Sequence, residues 1–298
     1  MTSEGMEEVA EGRRSEPRPW PARLFTAMFG PWSRENLFGW LRLIALLLFI
    51  KGCVIDQYSV PTGSMEPAIH GAHNFFLNDR LLVNKWVFGP RIPFTSLRLW
   101  KWGAPKRWDI VVFHAVEGTS DHGILVKRVA GLPGERVQIR EGRLWVNGEP
   151  VPFPESMPED MYYANDMDVI RMIALAPPGA DRERLKLLRK KYPYRYGGLE
   201  DEEYSVVPEG HYFLLGDNSL NSVDGRVWGW VPHDHLLGRA VAIWWPFTRM
   251  RDFTGWTDTW WGLSLLLGIP AALVLYEVAH AIRARRARRK ARKNAAQS

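Results

Sequence analysis

Ser59-Val60-Pro61-Thr62-Gly63-Ser64-Met65-Glu66-Pro67 sits just after an apolar stretch and sets one serine between a glycine and a methionine. Pro61 and Pro67 fix φ on either side, and Gly63 lets the backbone approach a bound chain closely. A stiff, exposed segment thus presents one hydroxyl, and Ser64 reads as a nucleophile. Taken alone, a cluster of Ser, Thr, Gly and Pro reads as an ordinary loop. Two further segments reverse that reading: Lys127-Arg128-Val129-Ala130-Gly131-Leu132-Pro133-Gly134-Glu135, and Gly216-Asp217-Asn218-Ser219-Leu220-Asn221-Ser222-Val223-Asp224-Gly225-Arg226-Val227-Trp228-Gly229. Together they bring a lysine to the serine.

A serine nucleophile needs a base that is unprotonated at working pH, whereas a lysine amine ordinarily titrates near ~10.4. Lowering it to about 7 or 8 means about 4 kcal/mol of preference for the neutral form, which burial in an apolar pocket supplies. Lys127 closes the apolar run Ile124-Leu125-Val126, where a solvated lysine would be out of place.

These three segments, with Arg107-Trp108-Asp109-Ile110-Val111-Val112-Phe113 as a fourth, resemble the conserved boxes of type I signal peptidases, in that family's order and across residues 57 to 246. The resemblance implies a membrane-bound serine endopeptidase with a Ser/Lys dyad and no cofactor. Its substrates would be the signal peptides of exported preproteins, cut after small residues in the pattern Ala-X-Ala. Carried over residue by residue, the resemblance makes Ser222 the hydroxyl that orients the Lys127 amine. It makes Thr62, with the Ser64 backbone N–H, the oxyanion hole. Asp224 and Arg226 match a structural ion pair, and Asp217 and Asn218 match residues that fix the loop. Two departures fall between these positions: Ser219-Leu220 stands where many relatives have Arg-Asp, and Gly225 stands where a serine is common. An extended substrate would add as a strand between Gln57 to Thr62 and Gly123 to Val126. Val60, Met65, Ile69, Leu125 and Val126 are the candidate walls for its side chains, with plain core packing as the alternative. The competing function is a membrane-anchored peptide-binding relative that has lost activity, against which the full set of dyad positions argues.

Composition narrows the classes further. The 298 residues are 46% hydrophobic, enough for a real core. The net charge of +6 does not mark a nucleic-acid binder, because the excess is concentrated in Arg283 to Lys293, with eight basic residues and no acidic one. The single cysteine, Cys53, excludes an intramolecular disulfide, and the histidines lack zinc-binding spacing, so no metal is expected.

The chain reads as mostly β: an antiparallel, signal-peptidase-like catalytic domain with an inserted smaller subdomain and a transmembrane helix at each end. Residues 1–36 form a flexible cytoplasmic leader and 37–55 a transmembrane anchor interrupted by Arg42 and Lys51. Residues 56–255 form the extracytoplasmic catalytic domain. Its strand-like runs are Arg80 to Phe88, Asp109 to Val116, Gly123 to Ala130, Glu135 to Ile139, Arg143 to Val146, His211 to Leu215 and Leu237 to Trp245. Glu141-Gly142 and Asn147-Gly148 suit tight hairpins. Residues 151–204 break the pattern around a basic helical piece, Asp181 to Lys191, and read as the inserted subdomain. A second span follows at 260–282, then a basic cytoplasmic tail at 283–298. The basic residues at both ends place them inside a cytoplasmic (inner) membrane crossed twice, with membrane lipid as the second partner.

Overall fold

The computed structural model describes residues 33–74, 76–91, 98–116, 123–158, 160–175, 182–198, 205–256, 259 and 275–276. Most of the expected leader, and the expected second span and basic tail apart from residues 275 and 276, lie outside the described residues. The chain divides into two compact units, Met1–Lys51 and Gly52–Ser298.

The first unit is described from its helix, α1 (Arg34–Phe49). Ser33 caps it by accepting the Asn36 N–H at 3.2 Å, and Glu35 places a carboxylate in the first turn, where the helix dipole favours it. A π turn over Ile50–Val54 carries the helical path onward, giving a 21-residue apolar helix from Arg34 to Val54. At 1.5 Å per residue this is about 32 Å, enough for a hydrocarbon core of about 30 Å. The apolar helix therefore begins three residues before the stretch 37–55 expected as an anchor, at the capped turn, and Ile55 belongs to a strand.

The second unit is built on one antiparallel sheet of eight strands: β1 (Ile55–Ser59), β2 (Arg80–Asn84), β3 (Ile110–His114), β4 (Ile124–Gly131), β8 (His211–Leu215), β9 (Trp230–Pro232), β10 (Leu236–Trp245) and β11 (Arg251–Asp252). Their spatial order is β1-β2-β10-β3-β4-β8-β9, with β11 also on β10. In β2 burial alternates, Leu81 and Val83 facing the core, as a strand covered on one face requires. Central β3 is buried over Ile110 to Phe113, which explains its unbroken apolar run. Strand β10 is long because it serves two neighbours, β3 through Leu236 to Arg239 and β2 through Arg239 to Trp245. Register shifts along both pairings bend it between them.

A second, three-stranded sheet holds β5 (Val137–Arg140), β6 (Arg143–Val146) and β7 (Glu149–Pro150). Both expected hairpin turns are present. Glu141 and Gly142 (φ 53° and 77°) and Asn147 and Gly148 (φ 53° and 88°) have the positive φ pairs of type I′ turns. Residues 151–204 contribute two helices, α2 (Asp166–Leu175) and α3 (Arg182–Lys191). Met157, Met161 and Tyr163 from this segment enter the same apolar cluster as Val137, Ile139 and Leu144, and the segment falls within the Gly52–Ser298 unit. A second cluster joins Val60, Met65, Ala68 and Ile69 to the β2, β3 and β10 side chains, and so packs the serine-bearing loop onto the sheet.

Candidate active site

Strand β1 ends at Ser59, and the chain turns through Pro61 into a single 3-10 turn, Gly63–Met65. Met65 drops into the core beneath and anchors this turn, leaving Ser64 partly exposed above it. Lys127 projects from β4 and is only 3% exposed. Its Nζ donates to Ser64 Oγ at 2.6 Å and to the Val126 carbonyl at 3.1 Å. Residues 63 apart in sequence thus meet, and the serine's partner is an amine. Burial pulls the Lys127 amine down to about 8, while Asp224 and Asp217 oppose the shift and Arg226 adds to it.

The third sequence segment wraps behind this pair. Asn218 clasps the serine turn twice, its backbone N–H donating to the Ser64 carbonyl (3.1 Å) and its Nδ2 to the Gly63 carbonyl (3.1 Å). Asp217 forms a bidentate pair with Arg128, at 2.8 and 2.5 Å. Asp224 pairs with Arg226 at 2.8 and 2.7 Å and also accepts the Gly216 N–H. Both pairs are buried, and each spare guanidinium N–H that reaches a carbonyl or hydroxyl offsets desolvation. Arg128 reaches the Trp108 carbonyl, and Arg226 reaches Ala164 O, Ser219 O and Ser219 Oγ. The net effect is a rigid backing that keeps two carboxylates near Lys127 and occupied with arginines.

Ser222 is buried next to this backing, but its hydroxyl makes no hydrogen bond among the described residues, so the expected bond to Lys127 is not formed here. Space around it is tight. A Cβ added at Gly216 would stand 2.1 Å from Ser222 Oγ and 2.6 Å from the Ser64 carbonyl oxygen. Gly216→Ala is therefore expected to displace the serine turn and abolish more than nine-tenths of the activity, measured as cleavage rate beside a melting curve. Wild-type turnover would show that the loop yields.

Thr62 precedes the turn, is exposed, and does not use its hydroxyl to cap it. A cleft of about 450 Å³ runs past the dyad, lined by Tyr58 to Thr62, Ser64, Met65 and Gly123 to Lys127. Of the candidate wall residues, Val60, Met65, Leu125 and Val126 line it. Ile69 does not; it is 0% exposed and packs in the core below. Two strand edges border the cleft. Among the described residues β1 pairs only with β2, and β4 over Ile124 to Lys127 pairs only with β3, because β8 joins it from Arg128 onward.

Three contributors were not legible as such in the sequence. Arg128 stands inside a quoted segment, and its place in an apolar strand opposite an aspartate-bearing loop was the available signal. Asp79 is fully buried and ties the loop behind the serine together. Its carboxylate accepts the His70 N–H (2.8 Å) and Arg249 Nε (2.7 Å), and its carbonyl accepts the Val60 N–H (3.1 Å). Gly71, in the same loop, lies so close that an added Cβ would be 1.9 Å from the Thr62 carbonyl oxygen. Both departures from the family pattern also have local reasons. Ser219 is buried, its Oγ bridging Arg226 and the Ala164 N–H. At Gly225 a Cβ would come within 2.7 Å of the Leu214 carbonyl oxygen, so a larger residue would need β8 to shift.

The family described as signal peptidase, peptidase S26, matches residues 34–245. Signal peptidase I of Pseudomonas aeruginosa is 27% identical over 81% of this chain and 83% of its own length. Signal peptidase I of Pseudomonas fluorescens is 31% identical over 70% and 72%, and the probable signal peptidase I-2 of a Synechocystis species is 31% identical over 71% and 72%.

Proposed function

From the chain's membership of the signal peptidase family S26, which makes it a serine endopeptidase that removes signal peptides, we propose that Ser64 is the nucleophile and Lys127 its general base. The observation that carries this assignment is the 2.6 Å contact between Lys127 Nζ and Ser64 Oγ at a buried amine whose affinity for protons is lowered by burial. In its neutral form the amine accepts the hydroxyl proton as Oγ attacks the scissile carbonyl, then returns it to the leaving amine. Two strand edges that have no partner strand among the described residues support extended binding, the preprotein adding its backbone between residues 57–62 and 123–126. Small residues before the cut would meet Val60, Met65, Leu125 and Val126, the apolar side chains of the cleft wall. Ser222, buried with an unused hydroxyl, is assigned to orienting the amine. The direct test is to incubate the detergent-solubilised protein with a preprotein whose signal ends in Ala-X-Ala. Cleavage after the second alanine is expected, and an intact preprotein would contradict the assignment.

Thr62 and the Ser64 N–H are assigned to the oxyanion. Thr62→Val keeps the shape and removes the donor, and is expected to lower kcat by about 10² to 10³ with little change in KM. Unchanged kcat would give the role to another group.

For topology, α1 supplies one span, and we assign the second to residues 260–282. Residues 56–255 then lie outside a cytoplasmic membrane, with 151–204 as a smaller inserted part of the catalytic domain. Reporter fusions at Ser298 and Glu200 should report opposite compartments. If they report the same one, the second span is wrong.

A further inference from the structure

A second cavity, of about 210 Å³, shares no lining residue with the cleft. Arg128, Arg239 and Arg251 reach its wall from three different strands, against one lining carboxylate, Asp109. The charges there do not balance. Arg128 is matched by Asp217 and Arg239 by a longer ion pair with Asp109, which leaves Arg251 as the unmatched charge among the described lining residues. Asp109 is already engaged by the Lys106 N–H at 2.8 Å, and its other oxygen lies 3.6 Å from an Arg239 terminal nitrogen, too far for a charge-assisted hydrogen bond. Arg239 Nε is buried and has no hydrogen-bond partner among the described residues. Arg251 donates to the Ser156 carbonyl at 2.6 Å and lies over the Phe253 ring, with no ion pair among the described residues.

We propose that this cavity is an oxyanion site that takes a phosphate group, held by the guanidinium groups of Arg239 and Arg251. A tetrahedral oxyanion offers acceptors in several directions at once, which suits two guanidiniums arriving from different strands, and each planar fork can grip two of its oxygens. The volume is far above the ~10–15 Å³ that admits one water. The phosphate can come from free solution or from a lipid headgroup, since the chain carries a membrane-length helix.

The test uses the full chain in a non-ionic, phosphate-free detergent. Inorganic phosphate is titrated and read by calorimetric binding heat and by the shift in Tm, with chloride at matched ionic strength as the control. Saturable binding that raises Tm is expected. Arg251→Gln, at an exposed position, should weaken it tenfold or more, the shift being read against the variant's own phosphate-free Tm. Arg239→Lys, which keeps the charge but loses the planar fork, should also weaken it. Short-chain phosphatidylglycerol below its micelle concentration is then made to compete with bound phosphate. Tighter competition than phosphate itself assigns the site to a headgroup, and weaker competition assigns it to free phosphate. Equal phosphate binding in wild type and both variants, or an equal effect from chloride, would overturn the proposal.

Discussion

Ser64→Ala is expected to reduce signal-peptide cleavage to the background rate, a loss on the order of 10⁴ to 10⁶, while the protein stays folded. The oxygen removed is the one 2.6 Å from Lys127, and no other side chain among the described residues bonds to it. What shapes the turn is independent of that oxygen. Asn218 holds the Gly63 and Ser64 carbonyls, Glu66 N–H closes the turn onto Gly63, and Met65 is sunk in the core. Loss of one hydrogen bond therefore changes stability by about 1 kcal/mol, a small shift in Tm. Cleavage assays and melting curves on the same preparation separate the two effects. Activity above a few per cent of wild type would remove Ser64 from the mechanism. A collapsed Tm would show that the hydroxyl is a structural group.

Lys127→Arg is expected to be nearly as damaging, by about 10² to 10⁴ or more, for a different reason. Guanidinium keeps its charge at any workable pH, so it cannot take the serine proton however well it fits. The substitution retains a cation in the middle of β4 and so keeps the local charge balance with Asp217 and Asp224 on the same footing. Lys127→Met complements it by removing the charge altogether, and both should be inactive at every pH. Ser222→Ala should lose less than either, since it removes an orienting group and leaves the base. If Lys127→Arg retained substantial turnover, a histidine base would have to be sought.

How much of this could be read beforehand depended on whether the signal was local. The eight-residue β4 and the paired I′ turns at 141–142 and 147–148 are written in apolar runs and in Glu-Gly and Asn-Gly pairs, so their positions follow from the sequence alone. Ser64 and Lys127 were legible because each stands in a segment whose chemistry is unusual, a serine stiffened by prolines and a lysine closing an apolar run. β1 and β9 were not, because Ile55–Ser59 and Trp230–Pro232 are short and make sense as strands only against their partners, β2 and β8. The same holds for Asp79. Nothing in Asn78-Asp79 foretells that its carboxylate will be met by Arg249, 170 residues away. Ile69 illustrates the converse. Its position near the serine suggested a cleft wall, but the turn at 63–65 carries it under the loop, and an apolar side chain there serves the core. Helix boundaries moved for a local reason too, because the Ser33 cap outweighs the point at which the sequence becomes apolar.

The most direct test of the dyad is the pH dependence of kcat/KM for the wild-type protein on a preprotein substrate. Burial holds the Lys127 amine at about 8, so it is protonated and inert below that value and becomes an available base above it. Cleavage should therefore rise tenfold per pH unit on the acid side and level off above a limb near pH 8, and this limb should be absent from the residual activity of Lys127→Arg. A limb near 6.5, the ordinary range of an imidazole, persisting in Lys127→Arg, would contradict a lysine base.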